Sequence, residues 1–271
     1  MRAGPASLRA RARRVGALLL RYLLLVRRDP SRVVDMFYWP LIDIVIWGLL
    51  TYFVAQMGTR LPNAIAVFLG AAILWNIFFR AAQDVSVSFL DDVWARSVVT
   101  LFASPLTFGE FSLAIMLVGA IKVVMALAGM AAVAWLLYAF DVFTLGWALL
   151  PFAGNLVLFG WTLGLLSLAI ILRFGGRWAI LAWSLPFLAM PVSSVFNPES
   201  VLPPAIRPVA RAVPANHVFE GMRTVVTEGR VAWERLAAAT LENVLYLWLA
   251  AAVVAWVFRV ALRRGLLPKV R

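Results

Sequence analysis

The sequence predicts an all-α integral membrane protein with six transmembrane helices, and three observations support this class. Of the 271 residues, 63% are hydrophobic and only 14% are charged, whereas soluble domains are nearer half apolar and a quarter charged. Six apolar stretches each approach the roughly 20 residues that a helix needs to cross a bilayer. Basic residues crowd both ends of the chain, as they do when membrane topology places the charge.

The first predicted element is an amphipathic helix over 15–28 that lies in the membrane interface. Its apolar run is interrupted by Arg21 and has only about half the length that a crossing helix needs. A cleaved signal peptide is the alternative. It is disfavoured because Arg21 lies inside the apolar run and because no A-x-A-like cleavage site follows.

Six spans are predicted after this helix. They lie at 36–56, 63–83, 111–138, 147–172, 178–197 and 240–262. The fifth is expected to be kinked, because Pro186 and Pro191 each remove a backbone donor. Aromatic residues such as Trp39, Trp147 and Trp178 cluster at the span ends, as in the interfacial belts of membrane proteins.

The charge distribution predicts the orientation. Nine arginines precede residue 33, and five basic residues follow residue 258. Both tails are therefore expected on the cytoplasmic side of a plasma (bacterial inner) membrane, against its anionic lipid. The 198–239 connection is expected on the external side and carries five arginines, which weakens the assignment of basic residues to the cytoplasmic side. Four glutamates lie in the same connection. The net charge of +12 is explained by topology, and nucleic acid is not an expected partner.

The loop after the second span is predicted to carry a cytoplasmic helix over 84–104. Ser104 ends this helix because a residue before proline avoids the α conformation. Four residues of mixed character fall within one and a half turns: Asp91, Asp92, Trp94 and Arg96. An aromatic side chain and mixed charge, on a helix that the membrane does not need, are typical of a docking surface for a soluble partner. A plain solvated helix is the alternative.

Two ionisable residues are expected inside the spans, and such residues are functional candidates by default. Asp43 lies about two turns into the first span, and Lys122 lies near the middle of the third. Leaving either unpaired would cost at least a few kcal/mol. We expect them to pair with each other or with the backbone as a structural lock. Contact with a charged substrate headgroup is the alternative.

The stretch before the last span is rich in proline. Seven of the 14 prolines lie between Pro186 and Pro214, with apolar residues interleaved. Proline interrupts helices, so the 198–223 segment is predicted to form short broken helices at or just inside the external membrane face, buried against protein.

Three segments share their order and spacing with one transporter family. They are WNIFFRAAQDVSVSFLDDVWARSVVTLFASPLTFGEF at 75–111, LPFAGNLVLFGWTLGLLSLAIILRFG at 150–175, and NPESVLPPAIRPVARAVPANHVFEGMR at 197–223. Together with the amphipathic N-terminus and the six spans, they resemble the permease subunit of the ABC-2 family of ATP-binding-cassette exporters. The resemblance covers most of the chain and implies a single transmembrane domain over 1–271.

The resemblance implies partners and roles that composition does not. Such permeases pair as two copies, here expected as a homodimer, and bind two separate ABC ATPase subunits. The 84–104 helix would be the coupling helix seated in the ATPase. The 198–223 segment would form re-entrant outer helices that close the exit. The residues that match this external gate are Pro198, Leu202, Pro203, Pro214 and Arg223.

Chemistry within this chain is not expected. A Walker A loop needs a lysine after a glycine-rich turn, and neither Lys122 nor Lys269 follows one, so ATP and Mg²⁺ would be bound by the partner. His217, the only histidine, lies beside Glu220, and one such pair cannot complete a metal site. Local hydrogen bonding is expected for His217. No catalytic residue and no cofactor are predicted.

These observations predict a permease that exports an amphiphilic or lipid-linked substrate, using ATP hydrolysed by a separate subunit. Two other classes stay open. One is a membrane scaffold or a lipid-modifying membrane protein without ATP coupling, although polar residues do not converge at one depth. The other is a secondary transporter, which the lack of an internal repeat disfavours.

Overall fold

The structure, a computed structural model, describes residues 8–56 and 64–263, and all regular structure in these ranges is helical. The helices are α1 Leu8–Arg28, α2 Pro30–Gln56, α3 Ala64–Trp94, α4 Val98–Ala103, α5 Phe108–Tyr138, α6 Leu149–Phe174, α7 Leu181–Ala189, α8 Arg207–Arg211, α9 Pro214–Glu228 and α10 Trp233–Arg263. Short 3₁₀ turns lie at Val142–Ala148, Gly176–Trp178, Met190–Val192 and Glu199–Val201. The expected external loop 57–62 and the basic tail after Arg263 lie outside the described residues.

Among the residues that the structure describes, five helices are long and apolar enough to cross a membrane. They are Pro30–Phe53, Ala66–Trp94, Phe108–Tyr138, Gly146–Phe174 and Trp233–Arg263. In α2 and α10 only 22% of the most apolar window is buried within the chain. The remaining apolar surface of these two helices needs lipid or another subunit to cover it, which agrees with a multi-pass membrane protein.

The expected fifth span, 178–197, is not a continuous helix. Helix α7 has nine residues with Pro186 inside it, and a 3₁₀ turn containing Pro191 follows. Nine residues rise only about 13 Å, which is less than half of the roughly 30 Å hydrocarbon layer. Helix α7 continues through Pro186, and the 3₁₀ turn that contains Pro191 follows its end. The part of the chain that the structure describes therefore has no long helix over 178–197.

Helix α3 is longer than the sequence predicts, and the boundary expected at residue 83 is wrong. One helix of 31 residues continues from Ala64 to Trp94. It ends where Arg96 adopts a left-handed φ of 56°, and the separate six-residue helix α4 follows. There is therefore no single helix over 84–104, because the first half of that segment is the end of α3.

Two hydrophobic clusters define opposite ends of the bundle. One contains Phe152 of α6 and Phe219 of α9, and we call this end, which carries 198–223, the proline-rich end. The other contains Leu18 of α1 and Phe258 of α10, and we call it the basic end. Helices α3, α5, α6 and α10 contribute buried residues to both clusters and so link the two ends.

The chain from 176 to 197 rises along α3 from the basic end toward the proline-rich end. Near its start, Ser167 of α6 donates a hydrogen bond to the carbonyl of Leu181 over 3.2 Å. Farther along, the ring of Phe187 lies 4.8 Å from that of Phe79. Phe196 then stacks on Trp47 of α2 at 3.8 Å. The 176–197 segment thus extends along much of the bundle from the basic end to the proline-rich end, although it is not one continuous helix.

Helices α3 and α6 are in backbone contact through a stripe of small residues. A Cβ atom at Gly160 would lie 2.7 Å from the carbonyl oxygen of Phe78, and one at Gly164 would lie 2.6 Å from that of Ala82. Real Cβ atoms do not approach so closely, so only glycine fits at these two positions. The Gly160-x₃-Gly164 spacing thus packs two helices of one chain closely together.

Candidate functional site

A continuous depression runs between α2, α3 and α7. Toward the basic end it is a charged cavity of 340 Å³. Toward the proline-rich end it becomes an aromatic groove of 530 Å³. Four residues line both parts: Asp35, Arg80, Gln83 and Trp183. One wall of the depression is therefore α3, and its character changes along that helix from charged to aromatic.

The charged cavity is lined by four acids and three bases. The acids are Asp29, Asp35, Asp84 and Asp91, and the bases are Arg32, Arg80 and Lys122. Most are paired across helices, since Lys122 bonds Asp84 over 3.1 Å, Arg32 bonds Asp91 and Arg80 bonds the carbonyl of Asp35. The second oxygen of Asp84 is buried and has no hydrogen-bond partner among the described residues. An unused acceptor therefore lies buried in the wall of the cavity, on the carboxylate that binds Lys122.

The expected pairing of Asp43 with Lys122 is wrong. Lys122 bonds Asp84 instead, and Asp43 accepts a hydrogen bond from Asn76 over 3.1 Å. The two partners, Asn76 and Asp84, are eight residues apart on α3. The two charges are therefore held at positions about 12 Å apart along that helix.

Asp43 is the carboxylate that lies among the rings of the aromatic groove, whereas Asp35 lines the end that the groove shares with the charged cavity. The aromatic lining of the groove consists of Trp39, Trp47, Trp75, Phe79, Trp183 and Phe187. Asp43 and Asn76 lie among these rings, and Asn76 also bonds the carbonyl of Ala72. Flat aromatic faces with one polar pair are suited to an amphiphile, because the rings accept apolar groups and the carboxylate accepts a donor.

Asp91 and Asp92 are engaged inside the chain and do not form an open surface. Asp92 is only 2% exposed and accepts hydrogen bonds from Tyr22, from Arg21 over 2.7 Å and from Ser97 over 2.6 Å. Burial and the neighbouring Asp92 raise the pKa of Tyr22, so its hydroxyl stays protonated as the donor. These acids fasten α1 and α2 to the end of α3.

Trp94 and Arg96 differ from the two acids because both are exposed. Trp94 is 58% exposed in the last turn of α3, and Arg96 lies in the turn that leads to α4. An exposed tryptophan is the kind of residue that anchors protein interfaces. Any docking surface on this loop is therefore formed by Trp94, Arg96 and α4.

The proline-rich end is held by the ion pairs of Glu199 and Glu220, two glutamates with little solvent exposure, and sequence reasoning missed these pairs. Glu199, which is 9% exposed, binds Arg211 over 2.6 Å and lies 3.6 Å from Arg235. Burial raises the pKa of Glu199, but hydrogen bonds from Arg211 and Asn216 outweigh it, so the pKa is lowered overall. Glu220 bonds both Arg223 and the backbone N–H of Glu199.

The five residues matched to an external gate occupy different environments. Leu202 and Pro214 are buried, whereas Pro198 and Pro203 are exposed. Arg223 donates to the carbonyls of Ser194 and Val195 as well as to Glu220. Burial lowers the pKa of Arg223. Arg223 thus fastens α9 to the end of the broken 176–197 segment.

His217 has partners beyond its own turn. Its Nε2 atom lies 2.9 Å from the carbonyl of Arg211 and 3.4 Å from Glu242 of α10. We expected local hydrogen bonding beside Glu220, and the contact with α10 adds a second helix. Within the described ranges no group of three or more metal-ligating side chains is present.

Comparison with known proteins finds no family model that matches the chain and no curated protein whose sequence matches it. The roles of these residues are therefore argued from their geometry.

The residues that sequence reasoning missed share one property. Arg80, Asp84, Glu110 and Glu199 are ionisable side chains that the structure buries. Arg80 and Asp84 were assigned near or beyond the end of a span, where charge is unremarkable. The sequence did contain a signal for these two residues. Asn76, Arg80 and Asp84 follow one another at intervals of four residues. Such i, i+4 repeats place polar groups on one side of a helix.

Proposed function

We propose that this chain is the membrane-spanning subunit of an ABC-2 type exporter, and that it moves an amphiphilic or lipid-linked substrate out of the cytoplasm. ATP and Mg²⁺ are bound by a separate ATPase subunit. The observation that carries the proposal is the depression between α2, α3 and α7, whose charged cavity continues into an aromatic groove. A substrate with a polar head and an apolar body fits both parts at once.

In this proposal the segment 176–197 is a sixth crossing, broken at Pro186 and Pro191. Its contacts with Phe79 and then Trp47 support this path. Six crossings place both termini on one side, and the basic residues at both ends favour the cytoplasmic side of a plasma (bacterial inner) membrane. The proline-rich end is then external, and α9 with its ion pairs closes the exit.

Two copies form the transport path in this proposal. The charged cavity and the aromatic groove open on one side of a single chain, and α2, which lines both, is mostly exposed. A second copy that covers this face completes the enclosure. Trp94, Arg96 and α4 dock the ATPase at the cytoplasmic end, and the ion pairs of Asp91 and Asp92 carry its movement to α2 and α1.

The test is to isolate the tagged chain from its native membranes and identify the proteins that copurify. A partner with Walker A and Walker B motifs is expected, and its hydrolysis in proteoliposomes should rise when a transported amphiphile is added. Failure to find an ATPase partner, combined with transport that does not depend on ATP, would contradict the proposal.

One observation favours a secondary transporter as the second candidate. Asp84 and Lys122 form a buried ion pair beside an unused carboxylate oxygen, and such pairs in membrane helices serve proton relays. In that case uptake into proteoliposomes should follow an imposed proton gradient without ATP. The Lys122→Met variant should abolish that dependence.

A further inference from the structure

Two apolar grooves flank the first turns of α5 at the basic end. One, of 750 Å³, lies between α5 and α10 and ends at Arg259. The other, of 740 Å³, lies between α1 and α5 and carries Arg11. The two grooves share Thr107, Gly109 and Leu113. They therefore meet across the beginning of α5, and we refer to the pair as the α5 fork.

The meeting point of the α5 fork has unused hydrogen-bonding groups. Ser112, which lines the α10 side, is 8% exposed, and its hydroxyl is buried without a partner among the described residues. Phe108 and Gly109 are the first two residues of α5, and their backbone N–H groups have no acceptor within the helix. A Cβ atom at Gly109 would meet nothing within 4 Å, so this backbone is accessible.

The acidic group nearest the fork is already neutralised. Glu110 forms a capping box with Thr107, and both of its oxygens also bind Arg14. Within 8–56 and 64–263, Arg11 and Arg259 form no ion pair with a carboxylate, and both are exposed. The guanidinium of Arg259 donates only to the backbone carbonyl of Ala255, over 3.2 Å. Two guanidinium groups without a carboxylate partner and the positive end of the α5 dipole thus attract an anion to the fork.

We propose that the α5 fork binds one anionic diacyl phospholipid. Its phosphate lies at the beginning of α5 between Arg11 and Arg259, and one acyl chain lies in each groove. Two apolar grooves of nearly equal volume that diverge from one cationic point match the shape of a two-chain lipid. The charge complementarity selects an anionic headgroup, and Ser112 supplies a hydroxyl to the ester or phosphate region.

The experiment is native mass spectrometry of the full chain in detergent, titrated with dioleoylphosphatidylglycerol or dioleoylphosphatidylcholine. One tightly retained phosphatidylglycerol per chain is expected. The Arg259→Gln variant should lower its affinity about fivefold. The matched control is Arg263→Gln, because Arg263 is exposed on the same helix but does not line either groove, and it should retain the lipid.

Two further variants separate lipid binding from folding. Gly109→Leu should fill the fork and release the lipid, whereas Gly154→Leu, at another glycine with open space around it, should not. Ser112→Ala should weaken binding without lowering thermal stability, because the hydroxyl has no partner to lose. Equal retention of the two lipids, or unchanged affinity in Arg259→Gln and Gly109→Leu, would overturn the proposal.

A second copy of the chain is the competing occupant of this face. The chain contains no cysteine, so Leu113→Cys and Ala255→Cys can be introduced into separate copies. Both positions are exposed and line the fork. Failure to crosslink between copies in membranes supports the lipid. An efficient crosslink would show that the face is a subunit interface and would overturn the proposal.

Discussion

Lys122 of α5 donates a hydrogen bond to Asp84 of α3 over 3.1 Å, and this pair joins the two helices beside the charged cavity. The side chain of Asp84 is 6% exposed and that of Lys122 is 16% exposed. Because both charges are largely removed from water, each depends on the other for its stability. The pair therefore couples two long helices at one point.

We predict that either single substitution at this pair is strongly destabilising. Lys122→Met or Asp84→Asn should each cost about 3–5 kcal/mol by leaving an uncompensated buried partner. The double variant should recover part of this loss. Thermal unfolding in detergent measures the cycle. The control cycle combines Asp43→Asn with Lys122→Met. The two losses of stability should add, because Asp43 bonds Asn76 and not Lys122.

We predict that Asp92 holds α1 in place. Asp92→Ala removes the acceptor of Tyr22, Arg21 and Ser97, so α1 should become sensitive to limited proteolysis. Tyr22→Phe should produce a smaller change of about 1 kcal/mol, because it removes one hydrogen bond. If α1 of the Asp92→Ala variant resists the protease as well as α1 of the unaltered chain does, this role is contradicted.

We predict that Trp94 binds the proposed ATPase partner without supporting the fold. Trp94→Ala should leave thermal stability unchanged, because the side chain is 58% exposed. Copurification of the ATPase should fall at least tenfold, as expected when an aromatic anchor worth about 2 kcal/mol is lost. Trp248→Ala is the matched control, because Trp248 is 66% exposed on α10 and distant in sequence from the loop. Retained ATPase in Trp94→Ala would show that the loop is a plain solvated surface.

We predict that the proline-rich end loosens in acid through Glu199. The folded-state pKa of Glu199 is lowered from the ordinary 4.5. Its stabilisation is therefore complete above that value and is lost as the pH falls through the lowered pKa. The thermal midpoint, measured from neutral pH to below 4.5, should fall less steeply in Glu199→Gln than in the unaltered chain. Glu228→Gln, which alters an exposed pair with Arg230, should leave the slope unchanged.

Apolar length was sufficient to predict most of the bundle. The five long helices correspond to five predicted spans, because about 20 consecutive apolar residues leave a membrane helix few alternatives. The amphipathic pattern around Arg21 likewise predicted a helix that is not a span, and α1 is such a helix. A kink was predicted at Pro186 and Pro191, but α7 has only nine residues and lies between two 3₁₀ turns.

The pairing of charges could not be predicted from local sequence. The sequence predicted Asp91 and Asp92 as part of a docking surface on a separate helix that begins at residue 84, whereas the structure places Asp84, Asp91 and Asp92 on α3. Their partners lie far along the chain, with separations of 71 residues to Arg21, 59 to Arg32 and 38 to Lys122. Only the packing of α1, α2 and α5 around α3 brings these groups together, and one sequence does not specify that packing.

The glycine contacts between α6 and α3 determine which parts of the molecule can change position. With no side chain between Gly160 or Gly164 and the α3 backbone, sliding of one helix over the other is blocked, and the two helices act as one fixed frame. Helices α2 and α7 meet α3 through side chains, including aromatic rings such as Phe187 against Phe79, which can repack by rotation. Widening of the aromatic groove is therefore a displacement of α2 and α7 away from a stationary wall.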